Sequence, residues 1–291
     1  MTEPTQPTAA EADTLNGSST LRLEVITSPT RQILGGANRT FSPTTSTLIS
    51  GNTDAVLVDT QFIIDDVDAL ADIIDTSGKN LTTIYITHGH LDHYFGIARL
   101  LTRFPSARAV ATLAVVDHIE SAVEDDLKWG RGLFGDVVAH PDVLPTPLDS
   151  SVIELEGHQL RSVEVGQGDI APSTVLHIPA LEAVIAGDVA YNQIHQMMAF
   201  GGPEQWHAWM HSIDHIKRLA PMIVVAGHKK PDAPDTDIAA ILDGSRDYIH
   251  DFATAVNTSS NPAQVVAVMT EKYPNRGNLT TLKASAAAAF S

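Results

Sequence analysis

The sequence predicts an α/β fold, and three observations support this prediction. Short apolar runs rich in β-branched residues alternate with segments of helical spacing through most of the chain. Three of these runs, at 82–86, 183–186 and 223–226, are followed within two residues by a polar residue, as strands are at the carboxyl edge of an α/β sheet. Beyond Pro234 the pattern is helical to the end of the chain.

Strands and helices alternate in the first half of the chain. Strands are predicted where apolar and polar residues alternate or where β-branched residues cluster, and helices where apolar residues recur every three or four positions. The predicted elements are a strand at 21–26, a hairpin of 47–50 and 55–59, a helix at 65–75, a strand at 82–86, a helix at 95–104, a strand at 107–112 and a helix at 115–127.

The second half begins with residues 129–150, which carry several glycines and prolines and show no clear period. Such a long irregular segment within a domain is typical of a loop that covers a site. The elements predicted after it are a hairpin over 151–165, strands at 173–178, 183–186 and 223–226, and helices at 205–219, 237–256, 262–272 and, more weakly, from Leu279 onward.

A single domain is expected over residues 21–291, because neither an internal repeat nor a linker divides them. A helical extension from about 235 to 291 belongs to this domain, and its apolar faces predict either packing on the main body or a homodimer interface. Residues 1–20 are rich in Thr, Pro, Ala and Ser and predict a disordered arm.

The composition weighs against several classes of function. The formal net charge of -17 disfavours nucleic acid or an anionic membrane as a partner and leaves a small molecule as the expected one. The chain has no cysteine, so thiolate ligands and a cysteine nucleophile are excluded. No apolar run approaches the length of a membrane span, and residues 1–20 lack the pattern of a signal peptide, so a cytoplasmic location is expected.

Four potential metal ligands lie within six residues after the strand at 82–86. They are His88, His90, Asp92 and His93. Side chains two apart in an extended backbone point to the same side, which brings His88 and His90 together. Imidazole nitrogens and carboxylate oxygens suit zinc and related divalent ions, and four donors on so short a stretch can serve two adjacent ions. This loop therefore predicts a metal site.

Two further strands end in the same way. Asp188 follows the run at 183–186 after one glycine, and His228 follows the run at 223–226 after another. Alone, the aspartate is typical of a turn or a helix cap and the histidine of a surface turn. The repeated order of apolar strand, glycine and polar residue favours both as metal ligands.

In these residues the sequence resembles the metallo-β-lactamase superfamily, whose loop His-x-His-x-Asp-His is matched from His88 to His93. The resemblance covers roughly residues 21–230 and implies a four-layer αβ/βα sandwich with up to two zinc ions at one edge, iron and manganese remaining open. The ligands that it implies are His88 and His90 on the first ion, Asp92, His93 and His228 on the second, and Asp188 as the bridge.

One position departs from the family pattern. The family has another histidine before the bridging aspartate, and Gln167 stands there in this sequence. A glutamine carbonyl is a poorer zinc donor than imidazole, so the first metal position is expected to be weakened, or to be completed by water or Asp169. His177 is a further substitute, although its place in an apolar strand is more typical of a histidine packed in the core.

The substrate-binding residues expected are Tyr191 and His195. Tyr191 stands three residues after Asp188, as in the N-acyl-homoserine lactone lactonases that the sequence resembles, where a tyrosine hydrogen-bonds the substrate carbonyl. A packed aromatic residue is an equal interpretation. His195 is close enough in sequence to line the same pocket. A stripe of three histidines on one helix is expected to be a solvated face, and its members are His207, His211 and His215.

The function implied by the resemblance is hydrolysis by a hydroxide that the metals hold. Asp92 would orient it and carry its proton to the leaving group, and Tyr191 would steady the oxyanion. The preferred substrate is a lactone, a lactam or a related carboxylic ester. The alternatives are a thioester hydrolase of the glyoxalase II type, and a non-hydrolytic or binding member of the fold whose metal site is impaired by Gln167.

Overall fold

Two β-sheets stacked face to face organise the computed structural model, which describes residues 20–36 and 38–291. The disordered arm predicted for residues 1–20 lies, apart from Thr20, outside the described residues and stays a prediction. In chain order the strands are β1 (Arg22–Thr27), β2 (Arg31–Gln32), β3 (Thr40–Phe41), β4 (Thr45–Ser50), β5 (Asp54–Val58), β6 (Asn80–Tyr85), β7 (Arg108–Ala111), β8 (Thr146–Pro147), β9 (Val152–Leu155), β10 (His158–Gly166), β11 (Ser173–Ile178), β12 (Ala183–Asn192) and β13 (Ile223–Lys229).

Helices flank the sheets on their outer faces. They are α1 (Ile64–Ser77), α2 (Leu91–Tyr94), α3 (Ile97–Arg103), α4 (Leu113–Phe134), α5 (Pro203–Arg218), α6 (Gly244–Thr258), α7 (Pro262–Lys272) and α8 (Leu279–Ala288). A π-helical turn, Ala239–Asp243, leads into α6. None of the described helices is both long and apolar enough to cross a membrane.

The two sheets of the sandwich each have a defined strand order. Within the described residues, the first sheet has the order β1-β4-β5-β6-β7-β8 and the second has the order β13-β12-β11-β10-β9. A buried apolar cluster joins their inner faces and includes Ile49 and Val56 of the first sheet and Leu176 and Ile185 of the second. Burial of this face on both sheets is the main reason that they stay together.

Two further apolar clusters hold the helices against the outer faces. One contains Val67 and Leu70 of α1 with Ile119 of α4, and the other contains Trp209 of α5 with Phe252 of α6. The layers are therefore helix, sheet, sheet and helix, and the predicted αβ/βα sandwich with extra C-terminal helices is confirmed.

One helix extends beyond its predicted end. Helix α4 continues through Trp129 to Phe134, although the glycines and prolines of residues 129–150 predicted an irregular segment. Packing explains the difference, because Phe134 at the end of the helix is buried and its ring lies edge-on to Phe41 and Phe62, with centroids 5.5 and 5.1 Å away. Glycine weakens a helix by only about 1 kcal/mol, which tertiary burial offsets.

Parallel strand pairs bring three segments that carry polar residues to one edge of the sandwich. Strand β5 runs parallel to β6, and β12 runs parallel to β13. A bridge between His88 and Ser173 ties the loop after β6 to the start of β11 in the other sheet. Residues that follow β6, lie within β12 and end β13 are therefore neighbours in space.

Candidate metal centre

The loop after β6 and the single turn of α2 carry the histidine cluster. His88 is buried in the loop that follows β6, and His90 precedes α2 in an extended conformation, with a ψ of 141°. Asp92 and His93 lie within α2 and are both buried. Burial of polar side chains costs free energy unless they have partners, so the burial of His88, Asp92 and His93 itself points to a polar function.

The first donor group consists of His88, His90, Asp169 and Asp188, whose ligand atoms lie within 4.8 Å of one another. His90 Nδ1 lies 2.9 Å from Asp169 Oδ2. His88 Nε2 lies 3.8 Å from Asp169 Oδ1 and 3.9 Å from Asp188 Oδ2. Two imidazoles and two carboxylates thus surround one point.

The second donor group consists of Asp92, His93 and His228. Asp92 Oδ2 lies 3.4 Å from His93 Nε2 and 3.5 Å from His228 Nε2. Asp188 reaches this group as well, because its Oδ1 lies 3.3 Å from His93 Nε2 and its Oδ2 lies 3.1 Å from His228 Nε2. One carboxylate therefore faces both groups, as a bridging ligand must.

The donor atoms fit a pair of divalent cations. Among the described residues, the buried side-chain atoms without a hydrogen-bond partner include His88 Nε2, His93 Nε2 and Asp188 Oδ1. An unpartnered buried polar atom costs about 1–3 kcal/mol, so three of them at one point call for a ligand. Nitrogen and oxygen donors of this kind suit Zn²⁺, Fe²⁺ or Mn²⁺, and with Asp188 shared, two imidazoles and two carboxylates face each position.

Neighbouring groups turn the imidazoles toward the centre. His93 Nδ1 lies 2.8 Å from Asp59 Oδ2, and His228 Nδ1 lies 3.0 Å from the carbonyl oxygen of Pro43. Asp92 Oδ2 accepts a hydrogen bond of 2.8 Å from Thr44 Oγ1. A partner on one ring nitrogen leaves the other free and aimed at the metal, which is the usual arrangement around bound metals.

Glycines let the strand ends come close together. Gly187, directly before Asp188, has a φ of 49°, and a Cβ there would lie 2.6 Å from Thr87 Oγ1. At Gly227, directly before His228, a Cβ would lie 2.0 Å from Asp188 Oδ1. Both positions therefore require glycine, which gives the repeated glycine of the sequence a steric reason.

Electrostatics across the cluster favour a cation. Burial raises the pKa of Asp169, and the nearby Asp188 carboxylate adds to that effect, because two carboxylates repel each other. Burial lowers the pKa of His93, but the carboxylates of Asp92, Asp59 and Asp188 outweigh burial and hold that pKa well above its ordinary value. Bound divalent ions would relieve the repulsion and displace these protons.

Asp169, and not Gln167, lies in the first donor group. The Gln167 side chain turns back on its own backbone, where Nε2 donates to the carbonyl oxygen of Gly168 at 3.1 Å. It lines a separate narrow crevice beside Trp206 and Trp209. His177 lies opposite Arg161 in the pairing of β10 with β11 and is not part of either donor group.

The two residues expected to contact substrate have different positions. Tyr191 is buried at the cavity wall, and its hydroxyl donates to Asp188 Oδ2 at 2.8 Å. His195 does not line the cavity, because its ring is 2% exposed and its Nδ1 lies 3.0 Å from the Tyr248 hydroxyl. The helix histidines are at the surface, where His207 Nε2 and His211 Nε2 lie 3.0 Å apart.

A cavity of about 360 Å³ opens above the two donor groups. The donors that line it are His90, Asp92, Asp169, Asp188 and His228. Helix α4, which closes one side, contributes His118, Ala122, Asp125, Asp126 and Trp129. Its other walls are mostly apolar and include Phe41, Leu91, Ile170, Met197 and Phe200. The volume and lining are typical of a site for a small organic molecule.

Two features of the site are not anticipated by the sequence argument. Asp59 orients His93, and its place directly after β5, parallel to β6, is the signal by which it could be found. The wall formed by α4 has no such signal, because Trp129 was assigned to an irregular segment. For the first metal position the sequence leaves three ways of completion open, namely water, Asp169 and His177.

Comparisons with known proteins agree with this geometry. A family model described as the metallo-beta-lactamase superfamily matches residues 39–228. A metallo-beta-lactamase family protein from Thermus thermophilus is 17% identical, with a TM-score of 0.63 over 91% of each chain. A metallo-beta-lactamase from Pontibacter korlensis is 19% identical, with a TM-score of 0.55 over 79% of this chain and 99% of that one. Comparison with curated proteins returns no match.

At these identities the structural likeness establishes the fold alone. The family match is more informative, because it covers most of the described chain and spans the loop from His88 to His93 as well as Asp188 and His228. Sequence motif, sandwich architecture and clustered donors all agree with it. The chain therefore belongs to the metallo-β-lactamase superfamily.

Proposed function

We propose that the protein is a metal-dependent hydrolase that opens a lactone, a lactam or a related carboxylic ester. The observation that carries this proposal is the Asp169 carboxylate, which gives the first donor group a full set of ligands without Gln167. A member impaired at this position would lack such a donor. Zinc is the metal that we propose for both positions, because imidazole nitrogens and carboxylate oxygens are ligands of catalytic zinc sites, and elemental analysis would distinguish it from iron or manganese.

Divalent ions held there would lower the pKa of water toward neutrality and polarise a carbonyl oxygen. The chain's own residues then position the reactants. Asp92, fixed by Thr44 and facing both His93 and His228, is placed to hold a proton and pass it to the leaving group. The Tyr191 hydroxyl lies at the cavity wall, where it donates to Asp188 Oδ2, and by turning from Asp188 to the substrate it is the proposed donor to the oxyanion.

The test is turnover by the zinc-loaded protein of a panel that contains lactones, lactams, carboxylic esters and thioesters, read by product mass. Hydrolysis adds one water to the substrate, which distinguishes it from isomerisation or dehydration. We expect turnover of at least one oxygen ester or lactone, its loss in His93→Ala and its retention in His177→Ala. Full metal loading without hydrolysis of any substrate would refute the proposal, and turnover of thioesters alone would establish the glyoxalase II type instead.

A further inference from the structure

We propose that helix α4 makes the cavity selective for charge, so that it accepts uncharged and ammonium-bearing substrates and rejects anionic ones. Asp125 and Asp126 are the residues that we assign to this selection. The inference rests on the proposed hydrolase function, and it narrows the substrate class for that same cavity.

The cavity lining offers an anionic group no basic side chain to bind. Among the described residues that line it there is no lysine or arginine, and its two histidines besides the helix residue His118 are candidate metal ligands. A substrate carboxylate or phosphate is normally bound by arginine, lysine or backbone N–H groups. An anionic group that lies away from the bound ions would therefore have no basic side chain as a partner for its charge, which costs free energy.

The α4 side of the cavity instead presents carboxylates beside aromatic rings. Asp125 is exposed and precedes Trp129 by one helical turn, so both residues lie on the same face. Trp129 is 43% exposed and lies edge-on to Phe41, with ring centroids 6.5 Å apart. An aromatic face next to a carboxylate is the combination that binds ammonium groups.

Asp126 lies deeper on the same wall. Its Oδ2 accepts a hydrogen bond of 2.8 Å from the Tyr94 hydroxyl, which fixes the carboxylate at the cavity wall. Unlike Asp92, Asp169 and Asp188, neither Asp125 nor Asp126 belongs to a donor group. Their charge is therefore not used in holding a metal and acts on whatever enters the cavity.

The donor set itself reinforces this selection. Asp169 supplies a carboxylate where a neutral donor would leave the bound ions with one more unit of positive charge. The ions therefore attract an anionic substrate group less strongly than an imidazole-richer centre would. The formal net charge of -17 acts in the same direction on the approach of substrate from solution.

The substrate class that follows is a carboxylic ester or lactone that carries an apolar or ammonium-bearing group away from the scissile bond. A lactam with a free carboxylate and a thioester of an anionic peptide are both disfavoured. The selection depends on the charge of the group away from the scissile bond and is independent of the acyl group that the enzyme prefers.

The experiment uses three esters with one acyl group and one alcohol chain, ending in trimethylammonium, tert-butyl or carboxylate. We expect kcat/KM to fall in that order at low ionic strength. Asp125→Asn should reduce the preference for ammonium over carboxylate by about two- to five-fold, the range of an exposed charge pair, and Asp125→Lys should reduce it further. Added salt should weaken the preference in the parent, because exposed charges are screened.

The matched control is Asp117→Asn. Asp117 is an exposed carboxylate on the same helix that does not line the cavity, so its removal should leave the ratio unchanged. Equal kcat/KM for the three esters, a preference for the carboxylate, or an equal effect of Asp117→Asn and Asp125→Asn would overturn the assignment.

A binding measurement tests the charge selection independently of the proposed hydrolase function. Calorimetry with the three free alcohols on the metal-loaded protein reports charge preference without any turnover. Preferential binding of the ammonium alcohol, with no hydrolysis of the three esters or of any lactone, lactam or ester in the panel, would support the charge selection and refute the hydrolase. Hydrolysis of the ester whose alcohol chain ends in tert-butyl, with equal binding of all three alcohols, would support the hydrolase and refute the charge selection.

Discussion

Asp169 Oδ2 lies 2.9 Å from His90 Nδ1, and this pair completes the first donor group. Gln167, two residues earlier, occupies the position at which the sequence suggested a replacement for the family's histidine. The local backbone turns Gln167 toward Trp206 and Trp209 and turns Asp169 toward the metal centre. A carboxylate is a stronger metal ligand than a neutral amide, so the first metal position retains a full donor set.

Asp169→Ala should therefore remove or strongly weaken one metal, while Gln167→Ala should leave the metal content unchanged. The two variants are a matched pair, because both truncate a polar side chain in the same loop. Elemental analysis after dialysis against a weak chelator provides the measurement. Loss of metal from Gln167→Ala with retention in Asp169→Ala would contradict the ligand assignment.

Asp59→Asn should weaken metal binding by about 10–100-fold, although Asp59 is not in either donor group. The carboxylate holds His93 Nδ1 at 2.8 Å, and it also accepts from the Thr87 backbone N–H at 2.9 Å. Chelator competition would measure the affinity, and Asp142→Asn, at an exposed carboxylate paired with His140, is the control. Unchanged affinity in Asp59→Asn would show that the metal alone orients the imidazole.

Replacement by alanine should mainly lower stability at Trp209 and mainly raise KM at Trp129. Trp209 is 1% exposed, and its Nε1 donates to the carbonyl oxygen of Val189, next to Asp188, at 2.9 Å. Trp209→Ala should lower the free energy of unfolding by about 3–5 kcal/mol. Trp129→Ala should cost little stability, since the side chain is exposed, but should raise KM because Trp129 lines the cavity.

Urea unfolding and steady-state kinetics on both variants measure these effects. Greater loss of stability in Trp129→Ala than in Trp209→Ala would contradict the burial on which this prediction depends. An unchanged KM in Trp129→Ala would remove this residue from the substrate-binding wall.

His195 should make the folded state sensitive to acid. Burial, assisted by the charge of Arg276, lowers the pKa of His195 to about 4, whereas an unfolded histidine titrates near 6.5. Between these values the unfolded chain binds the extra proton, so the free energy of unfolding falls as the pH falls from about 6.5 to about 4. The full effect of this residue is up to about 3 kcal/mol.

His195→Asn should flatten this pH dependence, because asparagine does not titrate. Urea unfolding of both proteins at several pH values, with metal removed so that the ligands contribute equally, isolates the difference. Parallel curves for the parent and the variant would mean that His195 titrates normally in the folded state.

Local pattern was sufficient for most of the architecture. Strand β11 has its predicted bounds of 173–178, and helix α7 has its predicted bounds of 262–272. The end of α4 is not predicted, because the glycines at 130 and 132 oppose a helix locally while packing of Phe134 against Phe41 and Phe62 favours one. Propensity acts over a few residues, and tertiary burial overrides it where the two conflict.

The sequence by itself determined the chemistry of the site. Three histidines and an aspartate follow one strand, and Asp188 and His228 each follow a single glycine after another strand. These residues could be found because ligand type and spacing along a strand end are local properties. Only the tertiary structure decided that Asp169 reaches the metal centre, that His195 is packed against Tyr248, and that α4 presents Asp125 to the cavity. Each of these depends on the direction of a side chain relative to distant elements, and that direction is set by packing between segments far apart in the chain.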